Sequence, residues 1–226
     1  MKTWRELMSD DDAMPLIREW AGACPHPIQI LGVEEAAGIR ALEALQVSTR
    51  SALGALAFHT GGLLIDHGWL RILGAGCEAF PRAIDSWNGV GGEERCEQGL
   101  LVADDVLGGF FAWFREPRTI HYLAPDSLEW EDLDLGHTNF IAWCLGDGVG
   151  DFYADYRWDG WPAYVEQIPA DAGLSIAPPL WAEGPELRER SRRNVPIEEL
   201  WLLQLDFQRQ LVGVKGGQRV TLKPVP

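Results

Sequence analysis

Apolar side chains recur at helical spacing in three segments near the N-terminus. Leu16, Ile17 and Trp20 mark the first segment, which the prolines of Cys24-Pro25-His26-Pro27 end because proline removes an amide donor. Glu34 to Gln46 carries an apolar residue every third position. Ser51 to Thr60 has a similar stripe, with Ser48 or Thr49 as its cap and Gly61-Gly62 as its end. Three helices are therefore predicted. A short extended link at Ile28 to Leu31 is predicted between the first and the second helix.

The pattern then changes to short β-rich runs separated by turn residues. Leu63 to Ile65 and Trp69 to Leu73 flank Asp66-His67-Gly68, a turn sequence that suits a hairpin. Residues 74–98 show no periodic apolar face, so they are predicted to form a long surface loop around a short strand. An antiparallel meander is predicted from three further strands, Gly99 to Ala103, Gly109 to Phe114 and Thr119 to Leu123.

The C-terminal third mixes both patterns. Its predicted helices are Asn139 to Leu145, capped by Thr138, then Asp151 to Tyr156 and Trp161 to Gln167. Its predicted strands are Glu199 to Phe207 and Gln218 to Leu222. The order of elements along the chain favours an α+β fold, with a central, mainly antiparallel sheet and helices packed around it.

Composition narrows the class of partner. The 226 residues are 46% hydrophobic and 23% charged, which is enough to bury a core without disulfides or metal. A formal net charge of −15 repels nucleic acid and anionic membranes, and the longest apolar runs fall far short of the roughly 20 residues of a membrane span. We therefore expect no nucleic-acid and no membrane partner. A basic protein is the partner that such a charge would attract.

Cysteine spacing and motifs argue against metal, cofactor and export. The four cysteines are far apart and include no CxxC pair, and no signal peptide follows Met1, so the sequence predicts a cytoplasmic protein with free thiols. Cys24 and His26 lack companions at ligand spacing, so no metal site is predicted. Phosphate-loop, dinucleotide and nucleophile-elbow motifs are missing, so we predict no cofactor and assign no catalytic residue.

Clustered carboxylates and paired tryptophans are the candidate binding residues. Trp158 and Trp161 flank Asp159-Gly160 and could be exposed interface anchors. Turn and capping roles are the alternative for the acids, because Asp104 and Asp105 follow a strand. Paired carboxylates could also serve a hydrolase or a carbohydrate-binding cleft. The acidic candidates for a partner-binding face are Asp104, Asp105, Glu129, Glu131 and Asp132.

Several longer strings carry a family resemblance. They include Thr60 to Gly74, Ala103 to Ala112, Tyr122 to Glu131, Arg157 to Trp161 and Glu199 to Phe207. These strings resemble a bacterial family, domain of unknown function 2625 (DUF2625), for which the resemblance implies no activity. One departure is Trp113-Phe114-Arg115 with a shortened turn, where that family tends to have a polar, glycine-containing loop.

The order of elements is also similar to that of the SUKH superfamily, whose members are used as toxin-immunity and protein-binding modules. We accordingly expect one α+β domain over residues 1–226: an N-terminal helix and proline-containing link (1–27), a SUKH-like core (28–146), and C-terminal helices with additional strands (147–226). The resulting hypothesis is a non-enzymatic, immunity-like module that masks a basic partner surface. The alternatives are a hydrolase or carbohydrate-binding protein with a cleft near Asp104 and Asp105, and a structural subunit of a homo-oligomer.

Overall fold

A seven-stranded antiparallel sheet forms the centre of the computed structural model, which describes residues 1–215 and 217–220. The strands lie side by side in chain order, each antiparallel to the next. The predicted α+β class with a mainly antiparallel sheet is therefore confirmed. The strands are β1 (Ile28–Leu31), β2 (Gly62–Ile65), β3 (Leu70–Leu73), β4 (Gly99–Asp105), β5 (Phe110–Phe114), β6 (Ile120–Leu123) and β7 (Trp130–Asp132).

Two neighbouring phenylalanines of β5 show that both faces of the sheet are covered. Successive side chains of a strand point to opposite faces. Phe111 packs against Phe140, whose helix lies beside two of the N-terminal helices, with ring centroids 5.1 Å apart. Phe110 meets Trp201 of a C-terminal helix on the other face, with centroids 5.0 Å apart. The helices are α1 (Trp4–Leu7), α2 (Met14–Ala23), α3 (Glu35–Leu45), α4 (Ala52–His59), α5 (Ile84–Trp87), α6 (His137–Cys144), α7 (Gly148–Phe152), α8 (Trp161–Val165) and α9 (Ile197–Gln210).

The N-terminal helices and the first hairpin form as their patterns predict, with two corrections to the caps. Ser51, rather than Ser48 or Thr49, caps α4, and its hydroxyl accepts from Gly54 N at 3.1 Å. Helix α6 begins at His137, so Thr138 lies inside it and Gly136 is the capping residue. Both errors arise because several cap-forming residues stand next to each other and only backbone geometry selects one.

The segment 74–98 is not the surface loop that its sequence predicts. It contains α5, and Phe80, Ile84 and Asn88 are buried. The Asn88 side chain pairs with the backbone of Leu101 in β4, accepting from its N–H at 2.7 Å and donating to its carbonyl at 2.9 Å. The side-chain amide of Asn88 thus makes the two backbone hydrogen bonds that a neighbouring strand would make. No repeating pattern in the sequence predicts such a contact.

The C-terminal part departs most from prediction. Glu199 to Phe207 is not a strand but part of α9, which buries Ile197, Leu200, Trp201 and Gln204 at helical spacing. An unpredicted two-stranded sheet lies beside it, formed by β8 (Ala172–Ala177) and β9 (Ser191–Pro196). The predicted strand Gln218 to Leu222 reaches beyond the described residues, and its described part, 218–220, has no regular structure. Within residues 1–215 and 217–220, no helix is long and apolar enough to span a bilayer.

Candidate functional site

Three chain reversals meet at one end of the sheet, which we call the turn end. Leu70 pairs with Asp105, and Phe110 pairs with Leu123, so the connections β2–β3, β4–β5 and β6–β7 all lie there. In the first of them Asp66 and His67 adopt positive φ angles of 53° and 62°. Aspartate and histidine are among the non-glycine residues that tolerate this conformation. The turn chemistry therefore places polar side chains together at the turn end.

A later segment, residues 148–168, crosses the turn end; we call it the strap. It comprises α7, a short 3₁₀ turn at Ala154–Tyr156 and α8. Three strap side chains each donate a hydrogen bond to an aspartate of a different chain reversal: Tyr153 to Asp105, Tyr156 to Asp126 and Arg157 to Asp66. The strap thus ties three turns of the sheet together, and each of these aspartates has a structural partner.

Asp105 is completely buried and fully hydrogen-bonded. Oδ2 accepts from the hydroxyls of Tyr122 at 2.7 Å and Tyr153 at 2.9 Å, while Oδ1 accepts from the backbone N–H of Leu107 at 2.8 Å and Gly109 at 3.0 Å. Burial raises the pKa of Asp105, and the four donors oppose that rise. A Cβ on Gly109 would lie 2.3 Å from Oδ2, so glycine is required there. This carboxylate organises the turn and has no exposure to a ligand.

Asp104 is equally buried but has a different set of partners. Both of its oxygens accept from Arg82, and Oδ1 also lies 3.4 Å from Nη1 of Arg71. Arg71 and Asp104 are directly opposite each other on β3 and β4. Burial lowers the pKa of Arg71, and the charge of Asp104 opposes that effect. The result is a buried ion network on the face of the sheet opposite to Asp105.

These positions correct the prediction for Asp104 and Asp105. Their exposures are 1% and 0%, so neither lies on an exposed partner-binding face. Successive strand residues point to opposite faces, and the two carboxylates share no hydrogen-bond partner. They therefore do not converge into the cleft that a hydrolase or carbohydrate-binding alternative requires.

The remaining acidic candidates do lie on the surface, around β7 at one edge of the sheet. Glu129, Glu131 and Asp132 are exposed. Asp132 accepts from the backbone N–H of Asp134 at 2.9 Å, and this hydrogen bond lowers the pKa of Asp132. Charged side chains on a short edge strand discourage pairing with another strand. These three acidic candidates are thus exposed, and their role in partner binding stays a prediction.

A groove of about 800 Å³ runs beside this acidic edge, and we call it the acidic groove. Its wall also carries Gln208, whose side chain donates to the Leu128 carbonyl at 2.8 Å. Asp126, Glu129 and Glu183 supply negative charge to its lining and Leu128, Trp181 and Leu211 supply apolar surface, while Lys215 and Arg219 add two positive charges. Such a lining suits a ligand that is both cationic and partly apolar.

Trp158 and Trp161 are half-buried rather than exposed anchors. Their rings pack against the buried Trp69, with centroids 5.9 Å and 5.0 Å away. Guanidinium groups cover them further: Arg192 lies 4.2 Å from the Trp158 ring and Arg157 lies 4.7 Å from the Trp161 ring. Both tryptophans therefore attach the strap to the first hairpin. The strap contacts the β6–β7 connection through a different residue, Tyr156, which donates to Asp126.

Free thiols, and no cluster of metal ligands, are found in the part of the chain that the structure describes. Cys24, Cys77, Cys96 and Cys144 are all free, and burial raises the pKa of Cys96 and Cys144. A raised thiol pKa reduces the thiolate fraction and hence the reactivity. No group of three or more histidine, cysteine or acidic residues within 1–215 and 217–220 is arranged to hold a metal ion.

Sequence reasoning missed the residues that hold this region together. Arg71 stands in an otherwise apolar strand, and a charge in such a run was an available sign of a buried ion pair. Tyr153, Tyr156 and Arg157 follow one another within five positions, but their acceptors are 30 to 91 residues away in the chain. No local pattern pairs residues that are so far apart.

Comparison with known proteins assigns the family. The profile of the family described as "Protein of unknown function DUF2625" matches residues 5–200. The chain belongs to this family. Relatives match most of its length: the uncharacterized protein YbfG of Escherichia coli (strain K12) is 35% identical over 218 residues, which are 92% of this chain and 98% of the relative. An uncharacterized protein of Haemophilus influenzae (strain ATCC 51907 / DSM 11121 / KW20 / Rd) is 32% identical over 210 residues, 88% of this chain and 91% of the relative. No solved structure matches this member of DUF2625.

Proposed function

We propose that this DUF2625 protein is a non-enzymatic binding module that masks a basic segment of a partner protein in the acidic groove. The observation that carries the proposal is the combination of three groove carboxylates with the exposed acids of β7. Charge complementarity selects a lysine- or arginine-rich occupant. The apolar surface of Leu128, Trp181 and Leu211 adds burial to the charge contacts.

Two cationic side chains of this chain, Lys215 and Arg219, line the same groove and oppose its three carboxylates. The surplus negative charge that attracts a basic occupant therefore comes largely from Glu131 and Asp132 on the neighbouring edge strand. The net charge of −15 adds a long-range field that draws cations toward the protein. The immunity-like role implied by the SUKH resemblance is the finer form of this proposal, with the masked surface belonging to a toxin.

A three-bait capture experiment tests the proposal in native lysate at low salt. The first bait is the parent protein, and the second carries Glu129→Gln, Glu131→Gln and Asp132→Asn. The third is a matched control with the same change in charge at remote exposed acids, Asp10→Asn, Glu19→Gln and Glu97→Gln. We expect a basic protein to be retained by the parent and the control and lost from the edge variant.

Salt dependence provides the second measurement on the captured protein. Because screening shortens electrostatic range to about 8 Å at physiological ionic strength, the association rate should fall with salt more than the affinity does. Retention of the same proteins by all three baits, or capture of none that is basic, contradicts the proposal. A purified protein whose mass in solution is a stable multiple of the chain mass, with no partner captured, would instead favour the structural-subunit alternative.

A further inference from the structure

A separate cleft of about 270 Å³ lies near the opposite edge of the sheet, beside β1, β2 and β3. Gln29, Leu64 and Arg71 stand in register across these strands and form its floor. His67 and Glu166, which are hydrogen-bonded to each other, stand at its rim, and Ile168 forms an apolar wall. The cleft is therefore bounded by the sheet, the first hairpin and the strap.

Arg71 gives this cleft its chemistry. Its side chain is 1% exposed, yet it lines the cleft. Nε donates to the Gly68 carbonyl at 3.1 Å, and Nη1 lies 3.4 Å from Asp104, a long contact. Across residues 1–215 and 217–220, Nη2 has no protein acceptor within hydrogen-bond distance. A guanidinium has five N–H donors, so Arg71 retains unused donors beside an open space.

The buried charges around Arg71 do not balance on this face of the sheet. Arg82 binds both oxygens of Asp104, so one carboxylate serves two guanidinium groups. Nε of Arg82 is itself buried without an acceptor in the described chain. Asp105, on the other face of the sheet, is a second carboxylate whose charge acts on Arg71. The two guanidinium groups nevertheless have more N–H donors than acceptors on this face, and an anion bound beside Arg71 would accept from the unused donors.

We propose that the cleft binds a small organic monocarboxylate, with the carboxylate on Arg71 and a short apolar body against Leu64 and Ile168. A monoanion meets less repulsion from Glu166 at the rim than a phosphate dianion would. The volume is below the roughly 300 to 1,000 Å³ of sites for drug-sized ligands, which limits the apolar body to a few carbon atoms. This site is independent of the acidic groove.

Titration of the parent protein with acetate, butanoate and hexanoate at constant ionic strength tests the ligand class. Calorimetry or amide chemical shifts provide the readout. Each added methylene should tighten binding about fourfold until the cleft is full, since burial of one CH₂ contributes about 0.8 kcal/mol. Hexanamide should not bind, and inorganic phosphate should bind more weakly than butanoate. Equal binding of hexanoate and hexanamide, or no saturable binding below about 10 mM, overturns the proposal.

A pair of tryptophan substitutions locates the binding. Gln29 is exposed on the edge strand β1, so Gln29→Trp should fill the cleft without disturbing buried residues. Glu19→Trp adds the same ring at an exposed position of α2 and is the matched control. Hexanoate affinity should fall at least tenfold in Gln29→Trp and stay within about twofold of the parent in Glu19→Trp, with unchanged thermal unfolding in both. Parent-like affinity in a folded Gln29→Trp protein would show that the carboxylate binds elsewhere.

Discussion

Two pairs of adjacent carboxylates on the same sheet have opposite fates. Asp104 and Asp105 lie on the central strand β4, are buried, and are held by guanidinium, hydroxyl and backbone donors. Glu131 and Asp132 lie on the edge strand β7 and are exposed. All four have the same charge when ionised. The number of donors that the fold delivers to a carboxylate therefore separates a structural acid from one that is available to a partner.

Removing Asp104 should have the largest effect. Asp104→Ala leaves Arg71 and Arg82 buried without their carboxylate, so unfolding free energy should fall by about 3–5 kcal/mol. Urea denaturation followed by circular dichroism measures this loss. Asp132→Ala is the exposed counterpart and should cost far less than Asp104→Ala. Equal costs for the two substitutions would remove the distinction between the strands.

His137 extends the comparison to a buried base. Burial lowers the pKa of His137 from 6.5 to about 4, so the folded protein keeps it neutral where the unfolded chain binds a proton. Stability from this group is present above pH 6.5 and is lost as pH falls toward 4, by about 3 kcal/mol in total. Urea denaturation at pH 6.5 and at pH 4 should show that the free energy of unfolding falls more in the parent than in His137→Phe. Parallel pH profiles of the two proteins would contradict it.

The donors to Asp105 should contribute less individually. Tyr153→Phe removes one of four hydrogen bonds to a buried carboxylate, and a bond to a charged group contributes about 1.5–3 kcal/mol. Tyr153→Phe should lower the free energy of unfolding by an amount near the lower end of that range, because three donors to Asp105 remain. Tyr164→Phe is the control, since Tyr164 is 38% exposed and should be nearly neutral. A neutral Tyr153→Phe would mean that the strap does not stabilise the turn.

The smallest effect should come from the edge strand. Glu129→Gln, Glu131→Gln and Asp132→Asn together should leave the free energy of unfolding almost unchanged, because the amide oxygen at residue 132 can still accept from Asp134 N. Thermal or urea unfolding of the triple variant measures this. A large loss would show that the edge acids are structural as well, and a binding defect could then not be attributed to recognition.

Local signals account for the parts of the fold that the sequence predicted. Helices α3 and α4 have apolar stripes, and the hairpin around Asp66 and the meander have turn residues at their reversals. The strand prediction for the segment that forms α9 was wrong because Trp201, Leu203, Leu205 and Phe207 stand at every second position, as the residues of one strand face do. Packing decided in favour of the helical face, which includes Gln204 donating to the Gly108 carbonyl, 96 residues away in the chain.

For the candidate site, the exposed acids could be predicted from the sequence, but the burial of Asp104 could not. The acids of β7 are exposed on a short edge strand, and polar composition alone suggests exposure. Asp104 has the same composition but is buried by Arg82 and Arg71, which stand 22 and 33 positions earlier. Charge density along the sequence does not report such distant partners. The strap was missed likewise, because its donors reach three separate turns.

During synthesis, the strap is made after the turns of the sheet to which it binds. Arg157 follows its partner Asp66 by 91 residues, which at roughly 5 to 20 residues per second separates their synthesis by about 5 to 20 s. Once residue 132 has been synthesised all seven strands exist, while Asp66, Asp105 and Asp126 still lack their strap donors. A nascent chain stalled between residues 132 and 148 therefore has three carboxylates that each lack one donor, together with the ring of Trp69, at one end of its sheet. Such an end is a surface that a chaperone can hold until the strap arrives.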